Sequence, residues 1–170
     1  MKGRGVLGLA ALCTLLMASS FAAQAQAKSL KDQLAGTWTL VSQADIKKDG
    51  TKVAHFGANP VGLLIFDKKG HFSLMLVRAD RPKFAGKSVG AGTADEYKAV
   101  MQGMVAQFGT YSVSDADKSF TTHVEGSWFP NLVGGNQKRT IGKLTADELT
   151  YQNATAATGE SVEVVWKRAQ

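Results

Sequence analysis

The chain is nearly free of cysteine. Its single copy, Cys13, lies in an N-terminal stretch that reads as a leader. Lys2 and Arg4 form a basic start, Val6 to Met17 an apolar run, and Ala25-Gln26-Ala27 a small-x-small cleavage signature. The apolar run is too short for an ordinary transmembrane span. Residues 1–27 are therefore expected to be a secretory signal peptide. Cleavage after Ala27 leaves residues 28–170 as the mature domain, in the periplasm or outside the cell. Leu12 stands where a lipoprotein leader needs a small residue, so no lipid anchor is expected. A mature domain without cysteine excludes disulfides, thiolate metal sites and a cysteine nucleophile. Its stability must come from its core, and the length left is ample for one domain.

Other features are scarce as well. The three histidines, His55, His71 and His123, are far apart and show no ligand spacing, so no metal and no cofactor is expected. The formal charge of +6 falls to +4 once Lys2 and Arg4 leave with the leader. The basic residues are scattered without a tract, so nucleic acid is not the expected partner. No further apolar run long enough to span a membrane follows the leader. The three prolines, Pro60, Pro82 and Pro130, sit between the β-rich stretches rather than within them.

What is present is β-pattern. Residues 36–46, GTWTLVSQADI, alternate and are rich in β-formers. Val61 to Phe66 and His71 to Arg78 form a hairpin across Asp67-Lys68-Lys69-Gly70. Gly109 to Ser114 pairs with Ser119 to Trp128, Gln137 to Leu144 pairs with Glu148 to Asn153, and Ser161 to Arg168 is the last strand. Thr93-Ala94-Asp95-Glu96 has the form of a capping box, and Tyr97, Val100, Met101, Met104, Val105 and Phe108 recur at helical spacing. This predicts one helix over about 93–107. The fold class is all-β: about eight antiparallel strands in up-and-down order, with the helix inserted between the third and fourth. A sheet of that size closes on itself to remove its edges. At eight strands the interior is either just filled by side chains or holds one small ligand.

The candidate site residues cluster around FTTHVEGSWFPNLVG, Phe120 to Gly134. His123 and Glu125 fall on one strand face, where they form either an acid/base pair at a chamber edge or parts of a structural charge network with Arg78, Arg81 or Arg139. Arg78, Asp80 and Arg81, at the end of a core strand, either hold a ligand carboxylate at the barrel mouth or salt-bridge a loop. Trp128, Phe129 and Asn131 are candidates to line or cap a pocket, and Tyr111 to offer an inward hydroxyl. Two motif matches are set aside. Gly86-Lys87-Ser88 imitates the end of a phosphate loop, but Arg81 occupies the position of its first glycine. Gly86 to Gly90 fits Gly-x-Ser-x-Gly but lacks the strand–turn–helix setting of a nucleophile elbow.

Gly36-Thr37-Trp38 resembles the Gly-x-Trp signature of the lipocalin and calycin barrels. The resemblance implies that Trp38 closes the barrel base and that an arginine from the end of the chain stacks on it. Arg168 is the candidate for that arginine, ahead of Arg139. Together with GTWTLVS, the strand after Asn59-Pro60, the Asp80-Arg81-Pro82 loop, FGTY at Phe108 to Tyr111, and HVEGSWFPNLVG, the chain is similar over nearly its whole mature length to the bacterial and fungal lipocalin-like domain proteins. Ala79 departs from that pattern, where proline is expected. The resemblance implies an eight-stranded barrel and no particular activity. Three functions follow as expectations. The first is an exported carrier of a small, largely apolar or amphipathic molecule, with ligand contacts from His123, Glu125, Arg78, Tyr111 and Trp128 and structural roles for Gly36, Trp38 and Arg168. The second is an isomerase, cyclase or hydrolase using His123 and Glu125. The third is a filled barrel acting through protein contacts.

Overall fold

In the computed structural model, which describes residues 28–157 and 159–170, consecutive strands pair in sequence order until the last one meets the first. The expected leader, residues 1–27, lies outside the described residues. The elements are α1 (Leu30–Leu34), β1 (Gly36–Ile46), β2 (Lys52–Val53), β3 (Val61–Phe66), β4 (His71–Val77), α2 (Ala94–Gln102), β5 (Met104–Ser114), β6 (Ser119–Ser127), β7 (Asn136–Leu144), β8 (Glu148–Asn153) and β9 (Ser161–Arg168). Every strand pair is antiparallel, and β1 pairs with β9 as well as β3, which closes an eight-stranded barrel. The two-residue β2 is an appendage at Asp45 and Ile46, on the edge of β1 that β3 does not reach.

Alternation selects the interior. On β4, Phe72, Leu74 and Leu76 are buried while His71, Ser73 and Met75 are exposed, as a sheet with one wet face requires. β9 buries Val162, Val164 and Trp166 in the same way. The helix comes after the hairpin, as the sequence implies, but β2 makes its neighbours the fourth and fifth strands. It is also shorter than expected. Gly103 caps α2, and Met104, Val105 and Phe108 belong to β5, where Met104 pairs with Val77. The helical spacing of those residues is a coincidence at a helix-to-strand junction. Helix α2 carries the expected Thr93–Glu96 capping box.

One end of the barrel is sealed. Leu34, Trp38, Phe66, Phe120, Leu149 and Trp166 are almost fully buried there. Phe66 packs against Tyr111 and Phe120, and Phe120 against Tyr151, with ring centroids 4.7, 5.2 and 5.2 Å apart. Each such side chain contributes about 1.5–3 kcal/mol by leaving water. Helix α1, which the sequence reading missed, forms the plug. The Trp38 indole N–H donates to Leu34 O at 2.9 Å. The Arg168 guanidinium lies 4.0 Å from the centre of the Trp38 ring and donates to Ala35 O and Gln33 O at 3.1 and 2.7 Å. A cation at the C-terminal carbonyls of a helix is favourable for both. Gly36 makes this possible: it sits at φ +132°, and a Cβ there would lie 2.7 Å from Arg168 Nη1. Gly36, Trp38 and Arg168 thus meet at the sealed end.

Candidate functional site

The other end of the barrel is open and leads into a chamber of about 680 Å³. Its walls are mostly apolar: Leu74 and Leu76 from β4, Val105 from β5, and Val162 and Val164 from β9. Around the mouth stand Met101 at the end of α2, Met104 at the start of β5, Trp128, Phe129 and Leu132 in the loop after β6, Phe56 after β2, and Ala156 and Ala157 before β9. Such a volume is typical of sites for small organic molecules.

The polar lining is concentrated in a few buried groups. Arg139, on β7, is only 4% exposed. Its Nη1 donates to Thr122 Oγ1 at 2.5 Å and to Gln137 O at 3.3 Å, and its Nη2 donates to Gln137 Oε1 at 2.7 Å. The guanidinium lies 5.7 Å from the Phe120 ring centre and 5.8 Å from that of Tyr151. It therefore marks the boundary between the aromatic plug and the chamber. Burial lowers its pKa, with Tyr151 opposing the shift, and burial raises that of the Tyr151 hydroxyl. Gln107 Nε2 donates to Gln137 Oε1 at 3.3 Å, which leaves buried Gln107 Oε1 without a donor among the described residues. Because arginine is donor-only, the chain Arg139–Gln137–Gln107 fixes both amide orientations. On β1, Gln43 Nε2 donates to Asp45 Oδ1 at 2.9 Å, and Gln43 Oε1 is likewise buried and unpaired. Asp45 Oδ2 is 3.3 Å from His55 Nδ1 at the mouth.

The sequence-expected ligand residues divide sharply. Trp128 and Arg78 line the chamber. Arg78 is at the rim, and its Nε and Nη2 are both taken by Asp80, at 3.0 and 2.9 Å. The loop-bracing alternative describes it. Tyr111 is buried in the plug instead: its hydroxyl donates to Asp67 O at 2.7 Å, and desolvation followed by the Asp67 and Asp32 charges pushes its pKa up to about 12. His123 and Glu125 are on the outer face, exposed and away from the chamber. His123 Nδ1 meets Asn136 Oδ1 at 3.0 Å across the β6–β7 pair. The reason is the alternation of β6, which turns Phe120, Thr122 and Val124 inward and leaves the titratable face to water. A bulge then shifts the register between Phe108 and Gly109, so that Glu125 has no partner on β5. Gly109 accommodates it, since a Cβ there would lie 2.1 Å from His123 O. Gly126 follows on the outside beneath the exposed Phe108 ring. Thr122, Gln107, Gln137 and Arg139 were the polar residues to find. Their signal was faint: single polar residues at inward positions of otherwise alternating strands.

Among the described residues, no group of three or more His, Cys, Asp or Glu could hold a metal ion, and no helix is long and apolar enough to cross a membrane.

Residues 35–169 match the family described as lipocalin-like domain. No curated protein matches the chain. Among solved structures, a lipocalin-like protein from Bacteroides uniformis is 17% identical, with a TM-score of 0.43, covering 81% of this chain and 99% of that one. A redesigned β-barrel, mFAP1, bound to DFHBI, is 16% identical, with a TM-score of 0.40, covering 83% of this chain and all (100%) of its own. A second redesigned barrel is 12% identical, with a TM-score of 0.43 and coverage of 83% and 96%.

Proposed function

The chain belongs to the lipocalin-like domain family, and from that premise we propose that it is an exported protein that binds or carries a small, largely apolar molecule in its barrel. The open chamber of about 680 Å³ with mostly hydrocarbon walls carries this reading. Apolar walls supply affinity by removing ligand surface from water, and a few buried polar groups orient the guest. Export rests on the leader read in residues 1–27. A filled barrel acting through its exterior has no need of such a space. An enzyme built on His123 and Glu125 lacks geometric support, because both side chains point away from the chamber.

The test is native mass spectrometry of the protein purified from its own host. A co-purifying molecule released on denaturation is the expected result. A preparation that is uniformly ligand-free, and that binds no apolar probe on titration, would refute the proposal.

A further inference from the structure

We infer that the chamber receives its guest carboxylate-first, with the acid group held by Arg139 at the boundary of the aromatic plug. This inference rests on the reading of the chamber as a binding site and specifies what enters it. Burial makes this arginine costly. An ion taken out of water is expensive unless an opposite charge faces it. Arg139 is 4% exposed, yet its hydrogen-bond partners, the Thr122 and Tyr151 hydroxyls and a main-chain and a side-chain oxygen of Gln137, are all neutral.

No carboxylate pairs with it among the described residues. The inward positions around it are Gln107 on β5, Phe120 and Thr122 on β6, Tyr151 and Asn153 on β8, and Val162 and Val164 on β9. The one other charged side chain among the described buried residues, Asp45, is engaged by Gln43 and His55 on β1 and at the mouth. Two aromatic faces soften the cost of the cation without neutralising it.

The donor count points the same way. Guanidinium has five N–H groups, and the three hydrogen bonds to Thr122 and Gln137 use two on Nη1 and one on Nη2. Nε–H and the second Nη2–H are left for the neutral Tyr151 hydroxyl and for a guest. A planar carboxylate supplies the charge and the two parallel acceptors that such a guanidinium accommodates. A phosphate or sulfate dianion is a poorer fit, because no second cation stands at this end of the chamber among the described residues. Gln107 Oε1, unpaired and next in the chain of hydrogen bonds from Arg139, marks the same pole as polar. A water or a hydroxyl on the guest beside the carboxylate supplies its missing donor. The apolar walls above Arg139 then cover the hydrocarbon part of the molecule, with its far end towards Met101, Met104 and Phe129 at the mouth.

The test is a competition series with three guests of equal chain length: dodecanoate, dodecanol and dodecyltrimethylammonium. Each displaces the neutral fluorophore N-phenylnaphthylamine from the purified protein near neutral pH. Dodecanoate is expected to compete at least about tenfold more tightly than dodecanol, because charge-assisted hydrogen bonds are worth more than neutral ones. The ammonium compound should compete most weakly. Arg139→Met should still fold, because the acceptors it leaves are neutral and methionine keeps much of the packing volume. It should lose the acid's advantage over the alcohol. Equal competition by acid and alcohol in the unmodified protein overturns the inference and leaves the carrier reading standing. So does an acid preference that survives in Arg139→Met. If that variant does not fold, the three-guest series in the unmodified protein decides alone. Failure of the fluorophore and all three guests to bind removes both the carrier reading and this one.

Discussion

The two halves of the barrel interior are built differently. In the closed half, large rings interlock, and the indole of Trp38 and the hydroxyl of Tyr111 find main-chain acceptors in Leu34 and Asp67, with Trp166 Nε1 the one buried group there left without an acceptor among the described residues. In the open half, two buried glutamine oxygens lack donors and a buried cation lacks an anion among the described residues. One strand can serve both halves. β6 gives Phe120 to the plug and Thr122 to the polar pole, and β7 gives Arg139 to the border between them. Stability and binding are thus separated along the barrel axis, and substitutions in the two halves should affect different measurements.

The largest effect is expected at the plug. Trp38→Ala should lower stability by about 3–5 kcal/mol, the usual cost of truncating a fully buried large aromatic, and thermal unfolding should show it. A loss below about 1 kcal/mol would mean that α1 and Arg168 hold the base without the indole. Gly36→Ala comes next. The added Cβ must share space with Arg168 Nη1 at a backbone angle that L-residues rarely adopt. A loss on the order of 1–3 kcal/mol is expected, with probe binding at low temperature unchanged. If Gly36→Ala instead abolishes binding in protein that is still folded, the two halves are coupled and the separation fails.

A smaller effect, readable in its pH dependence, comes from Asp67 in the turn between β3 and β4. Its Oδ1 accepts from the backbone N–H groups of Gly70 and His71, at 2.7 and 2.8 Å. The His71 contacts, followed by Gly70, pull its pKa down from 3.8 to about 2. A carboxylate depressed in the folded state stabilises it above the ordinary value, and that contribution is lost as the pH falls through the folded one. Asp67→Asn should therefore be less stable than the unmodified protein at neutral pH, with the gap narrowing between about pH 4 and 2. A gap independent of pH would show that the charge of the turn is irrelevant. The smallest effect is expected on the outer face. The double variant His123→Ala, Glu125→Ala should change stability by no more than about 0.5 kcal/mol for each exposed site and leave probe affinity unchanged. A clear fall in affinity would mean that these outward residues contact the guest after all.

The closed half was far more legible in the sequence than the open one. Gly36, Trp38 and Arg168 sit in a recognisable pattern, and their roles follow from shape: no side chain at 36, an indole at 38, a cation to cover it. The hairpin at Asp67 to Gly70 and the alternation of β4 and β9 were equally plain, because one wet and one dry face force a period of two. The site was harder to find for a related reason. His123 and Glu125 attract notice because they titrate, but a strand whose other face is Phe120, Thr122 and Val124 must turn them to solvent. Arg139 stands in the sequence only as a weaker partner for Trp38 or a member of a charge network with Glu125, because its neighbours Lys138 and Thr140 make the strand look exposed throughout. Only the register, which places Arg139 beside Phe120, shows that it points inward. The end of α2 was misread because Met104, Val105 and Phe108 continue a helical stripe past Gly103, and the pairing of β5 with β4 overrides that local pattern.

The most direct measurement is a titration of N-phenylnaphthylamine into the unmodified protein and into Val162→Phe, which places a larger ring in the chamber wall. The account predicts saturable binding with one site in the unmodified protein. In the variant, affinity should be at least about tenfold weaker while stability stays within about 1 kcal/mol, since the added volume enters open space rather than a packed core. Equal affinity in the two proteins would place the probe somewhere other than the barrel interior and contradict the account.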